Sequence, residues 1–175
     1  MKNLYLLLLI SITTQAQKTQ KPHPIPEKSQ NHLFYIQHSQ NHNTFVYEAN
    51  IANKKINPDE PIKIHRIAYT KGGVKEELTK MQRNLAYGIE FKKIKENQYE
   101  FSLVSYPEKK LYLEISEKGK PQVKTTINGK KIILQKMFLT MQKGATIKPK
   151  IEYIDFHGTD LDSGRQTTER LYIKE

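Results

Sequence analysis

The amino-acid sequence predicts a mainly β protein, an antiparallel β-sandwich or barrel with one amphipathic α-helix packed on it. Three features predict it. Short apolar runs alternate with period two, turn-forming residues separate them at short intervals, and a single stretch, 74–87, switches to a helical period.

The chain opens with Met1-Lys2-Asn3, an apolar run from Leu4 to Ile12 and the small-x-small end Thr14-Gln15-Ala16. These are the three parts of a secretory signal peptide, so residues 1–16 are expected to be removed after Ala16. A membrane span needs about 20 apolar residues, and Ser11, Thr13 and Thr14 interrupt this run too early. Residues 17–31, QKTQKPHPIPEKSQN, hold three prolines and little apolar periodicity, which reads as an extended tether. Residues 32–175 then form one β-rich domain.

Within it, Leu33, Tyr35 and Gln37 share one strand face, and Phe45, Tyr47, Ala49 and Ile51 alternate along the next strand, joined by the polar loop 39–43. Residues 62–69, IKIHRIAY, read as a third strand. After Gly72-Gly73, Val74, Leu78, Met81 and Leu85 recur at helical intervals and predict a helix over 74–87 with that stripe buried. Gly88 is expected to close it in a left-handed cap. Strands are predicted at 89–94, 98–106, 110–116, 121–127, 130–141, 150–156 and 167–173. Asn128-Gly129 between VKTTI and KKIIL is the strongest hairpin signal.

Formal net charge is +11, from 25 lysines and only four arginines against 18 acidic residues. Lysine is a solvated point charge more often than a bidentate recognition group, and these lysines are scattered. A dispersed basic surface is expected, with weak attraction to an anionic envelope polymer or lipid surface as the sharper alternative. The absence of cysteine excludes disulfides, thiolate nucleophiles and thiolate metal sites.

Three of the six histidines, His32, His38 and His42, lie in HLFYIQHSQNHNTFVYEAN. His32 and His38 on one strand are roughly 20 Å apart, so only His38 and His42 can be neighbours, and a hairpin is expected instead of a metal site. Asp160 and Asp162 have the spacing of a calcium loop, but Gly164, Arg165 and Leu171 stand where oxygen ligands and a glycine are needed, so a plain turn is expected. Hydrolase signatures of the Gly-x-Ser-x-Gly and His-Glu-x-x-His kinds are absent. Asp155, Asp160, Asp162 and Glu169 lie near one another in sequence, which leaves a carboxylate hydrolase open. On the outer face of the expected helix, Arg83 and Tyr87 are the binding candidates, an arginine and an aromatic four residues apart.

The stretches HLFYIQHSQNHNTFVYEAN, YTKGGVKEELTKMQRNLAYG and DFHGTDLDSGRQTTERL resemble a family of exported bacterial proteins catalogued only as a domain of unknown function. The resemblance spans nearly all of the mature chain and implies export and a single domain. It assigns no catalytic residue, ligand or partner. The function expected is that of a periplasmic or secreted, non-enzymatic protein acting in binding or envelope assembly, without a cofactor or metal. Its partner is an anionic envelope polymer or another protein, and not nucleic acid. The alternatives are an envelope polysaccharide or peptidoglycan hydrolase using carboxylates, and a lipocalin-like carrier of an apolar ligand.

Overall fold

A computed structural model of the chain describes residues 22–142 and 150–173. The leader expected over residues 1–16 lies outside these. Thirteen strands are described. They are β1 His32–His38, β2 Asn41–Ala49, β3 Ile51–Ala52, β4 Lys55–Ile56, β5 Ile62–Ala68, β6 Val74–Glu77, β7 Ile89–Lys95, β8 Gln98–Leu103, β9 Tyr106–Ile115, β10 Pro121–Ile127, β11 Lys130–Met141, β12 Ile151–Asp160 and β13 Gln166–Tyr172. One short helix, α1, comprises Lys80–Gln82 and a wider π-type turn over Arg83–Tyr87. Among the described residues no helix is long and apolar enough to cross a membrane.

Eleven of the described strands form a curled half-barrel built around β11, and β3 and β4 pair as a separate two-stranded sheet. β12 pairs with one edge of β11 from Ile132 to Met141, and β13 pairs with β12. The other edge of β11 is divided. β10 pairs with Lys130–Ile133, while β1 pairs with Lys136–Leu139, among the described residues the one parallel pairing in an otherwise antiparallel sheet. The sheet therefore forks at Leu134 and Gln135 into two wings, β1-β2-β5-β6 and β10-β9-β8-β7. The wings curl until their inner faces meet. Phe34 of β1 stacks on Tyr47 of β2 at 4.4 Å and lies 6.4 Å from Phe101 of β8.

These aromatics, with Leu111, Leu113, Ile132, Leu134, Met137 and Phe156, fill the space between the wings. Full burial of each such side chain is worth about 1.5–3 kcal/mol. Local chemistry shapes the turns as expected at Asn128-Gly129, where φ values of 50° and 82° match the twisted two-residue hairpin.

The helix predicted over 74–87 is corrected. Val74–Glu77 is a strand, paired with Ala68–His65 of β5 through a turn in which Gly72 and Gly73 have φ of 79° and 83°. Helix begins only after Thr79, whose hydroxyl accepts from the Gln82 amide at 3.2 Å while the Gln82 side chain accepts from the Thr79 amide at 3.0 Å. That reciprocal cap is written in the sequence as Thr-x-x-Gln. Of the apolar stripe only Leu78 is buried, at 7% exposure, whereas Val74, Met81 and Leu85 are 52%, 72% and 70% exposed. Gly88 is extended, with φ −65° and ψ 170°, and is not a left-handed cap. A β-carbon there would collide with the carbonyl of Arg83, so close approach is what requires glycine.

Candidate functional site

The wings meet on the side away from the fork without pairing. β6 covers β5 only from His65 to Ala68, so among the described residues Ile62–Ile64 keeps an open edge. β7 ends the other wing, and among the described residues it pairs with β8 alone. Between these edges lies a slot of about 440 Å³, lined by Asp59–Ile62, Ile64, Gly88–Phe91 and Val104, with Arg83 and Asn84 at its helical end. Since α1 connects β6 to β7, it bridges this seam.

Arg83 is the centre of the region. It lines the slot and also a neighbouring hollow of about 340 Å³ formed by Glu48, Glu60, Lys63, His65, Lys75 and Glu77. Its guanidinium is 3.8 Å from the Glu77 carboxylate, an exposed pair. In the hollow, Glu48 lies 3.5 Å from His65 Nδ1 and accepts from the Ser29 hydroxyl. Burial first, then Lys75, holds His65 below its ordinary pKa. Ser29, Glu48 and His65 are in the wrong order for nucleophilic catalysis, because the imidazole would have to stand between serine and carboxylate to take the hydroxyl proton.

Tyr87 occupies a different setting from Arg83. Its ring lies flat on Phe45, with centroids 3.4 Å apart, and its carbonyl accepts from the Tyr47 hydroxyl at 2.7 Å. Burial raises its phenol to about 12. The candidates expected side by side on an outer face therefore diverge, Arg83 toward the seam and Tyr87 onto the core.

The family described as a domain of unknown function (DUF4833) matches residues 34–170. The chain belongs to that family. No curated protein and no solved structure matches it. The DUF4833 match includes the wings, the seam, α1 and the fork, and leaves His23 and the described part of the tether outside.

Elsewhere in this DUF4833 fold, three of the four carboxylates considered for hydrolysis, Asp155, Asp160 and Glu169, are engaged. Asp155 receives Arg170 at 2.7 and 2.9 Å. Asp160 accepts from the Asp162 amide and from the Ser163 amide and hydroxyl at 2.8–3.0 Å, a turn stabilised by its own side chain. Glu169 pairs with Lys130. Among the described residues no three His, Asp or Glu side chains gather as metal ligands. The neighbour of His42 is His23, from the tether, at 4.7 Å between ring centroids. His23 also contacts the carbonyls of His38 and Asn41 through Nε2 at 3.1 and 3.2 Å. The sequence did not single out this contact, because an extended tether without apolar periodicity carries no pattern that places His23. The side chain of Gln37, which donates to the Pro24 carbonyl, helps hold the tether down.

At the fork, a groove of about 1030 Å³ runs between the start of β1 and the start of β10. Lys28, Lys54 and Lys120 line it together with Gln30, Gln122 and Gln135.

Proposed function

We propose that this protein is exported to the periplasm or beyond, and acts there without catalysis, by binding a partner in envelope assembly. One observation carries this reading. On α1, beside the open seam, Met81 and Leu85 are exposed next to Arg83. Exposed apolar side chains around an arginine have the composition of an interface core. They stabilise nothing in the chain alone, since burial of such groups is what would make them favourable. Arg83 is the recognition residue, and Tyr87 anchors the helix that presents it.

The fork groove favours a second reading. Its lysines and side-chain amides suit an anionic, hydroxyl-rich polymer, with charge attracting the chain and amides bonding its oxygens.

Capture from envelope extract tests the first reading, with wild type compared against Arg83→Ala and against Met81→Glu, Leu85→Glu. A partner retained by wild type and lost from both variants supports it. A partner lost only on changing Lys54 and Lys120 to Glu transfers the function to the groove. Export is tested by N-terminal sequencing of the secreted product, which should begin at Gln17. Finding Met1 there would remove the envelope setting.

A further inference from the structure

We propose that the seam is a strand-addition site: an extended peptide segment of a partner protein enters it and pairs with the free edge of β7. The inference rests on the binding reading above and names the chemistry of the partner. Two free edges, Ile62–Ile64 of β5 and Ile89–Phe91 of β7, face the same slot. An edge presents unpaired N–H and C=O groups, and a peptide in extended form satisfies them while closing the sheet.

The side chains fix the pattern that the peptide needs. Ile89 and Phe91 lie opposite Leu103 and Phe101, so they point to the core side, as do buried Ile62 and Ile64 across the slot. Phe91 is 40% exposed, although its cross-strand partner Phe101 is 1% exposed. An apolar residue at every second position of the added strand covers Phe91, and the intervening residues face solvent. The charge of β7 is polarised along its length. Glu90 stands at the slot end, whereas Lys92, Lys93 and Lys95 occupy the rest of the strand. Lys92 already pairs with Glu100 of β8 at 3.1 Å, so acidic residues are required in the half of the peptide that lies along Lys93 and Lys95, because unlike charges on neighbouring strands attract.

A second copy of this chain fits less well. Antiparallel pairing of two β7 strands centred on Lys92 or Lys93 sets lysine opposite lysine, and each chain carries +11. The register centred on Phe91 does match Glu90 with Lys92. It requires each folded copy to bring its own β5 wall into a slot already walled on both sides. A lone strand meets no such obstacle. The lysines of β7 also act against open-ended pairing of identical edges.

The test selects random twelve-residue peptides displayed on phage against the purified protein, then titrates the enriched peptide into isotope-labelled protein by NMR. The expected sequences alternate apolar and polar positions with acidic residues toward one end. Amide shifts should be confined to residues 61–64 and 88–95, with slowed hydrogen exchange in β7. Phe91→Asp and Lys93→Glu, both at exposed positions, should each weaken binding about tenfold or more, with the free variants' own shifts confined to the neighbourhood of each substitution. Enriched peptides without alternation, shifts elsewhere, or no enrichment would overturn the proposal. So would a concentration-dependent dimer with protected β7 amides, which would make a second copy the occupant. If an envelope partner is lost on Met81→Glu, Leu85→Glu but retained by Phe91→Asp, strand addition fails while the binding reading stands. If wild type retains no partner, the binding reading itself fails.

Discussion

Tyr87 lies flat on Phe45, their ring centroids 3.4 Å apart, and this stack ties the end of α1 to the inner face of β2. Tyr47 reinforces it through its hydroxyl bond to the Tyr87 carbonyl. Removing the ring uncovers Phe45 and leaves a cavity, so Tyr87→Ala is expected to cost about 3 kcal/mol, toward the low end for loss of an aromatic. Tyr87→Phe keeps the stack and should stay within about 0.5 kcal/mol of wild type. Urea unfolding decides between them. Equal loss in both variants would mean that the hydroxyl, and not the ring, holds the helix.

Four residues of 78–85, three apolar and one arginine, should separate sharply in stability. Leu78→Ala is expected to cost about 2–5 kcal/mol as a core truncation. Met81→Ala, Leu85→Ala and Arg83→Ala should each change stability by about 0.5 kcal/mol or less, since they remove exposed atoms or a solvent-screened pair. Thermal or urea unfolding of the four variants checks this. A large loss on Met81→Ala would show that Met81 is covered in solution.

The same stretch shows what was legible in the sequence. Asn128-Gly129 was readable because left-handed backbone conformations are a property of the residues themselves. The strands were readable where one face is buried, as in β10, whose boundaries match those expected. Val74 to Leu85 satisfied a helical period, but the partner of Val74–Glu77 is β5, brought alongside by Gly72-Gly73. A four-residue strand carries too few alternations to reveal itself. Thr79-x-x-Gln82 did mark the true start of the helix. The fork was not legible, because the parallel pairing of Tyr35 with Lys136 joins residues distant along the chain. Without the fork there is no way to infer the seam opposite it. Arg83 could be singled out from its spacing, but its place between two open edges could not.

Gly88→Ala should be disruptive despite the ordinary backbone angles at this position. Its new β-carbon meets the Arg83 carbonyl, which is backbone and cannot turn away. Overpacking of this kind costs about 1–3 kcal/mol. The end of α1 must shift to relieve it, so the partner binding proposed for Arg83 should weaken as well. Gly119→Ala offers a comparison: its φ of 72° is unfavourable, but open space surrounds it. Chemical shifts should move around 83–88 in the first variant and only in the β9–β10 turn in the second. An unperturbed Arg83 amide in Gly88→Ala would refute the close-approach argument.

Stability is expected to fall in two separate steps as pH is lowered. His32, His38, His65 and His157 are all held below the ordinary value of 6.5, with burial the first cause in each. Above that value the imidazoles are neutral whether the chain is folded or not, and their contribution does not change. Below it the unfolded chain takes up protons that the folded one refuses, so the unfolded state gains and stability declines toward the depressed folded values. Each group contributes a slope of at most about 1.4 kcal/mol per pH unit. Glu76 and Asp160 are held below their ordinary values of 4.5 and 3.8, the first by hydrogen bonds from Arg66 and Lys71, the second by hydrogen bonds from Ser163. Their stabilisation persists above those values and is lost below them, as a second and more acidic step. Urea unfolding at a series of pH values should resolve both. His38→Gln should be less stable than wild type at pH 7, since a fitted buried ring is lost, yet decline less steeply between pH 6.5 and 5, because one proton uptake has been removed. A wild-type stability that is flat from pH 7 to 5 would mean that these four rings protonate as freely in the fold as outside it, and that their burial relaxes in solution.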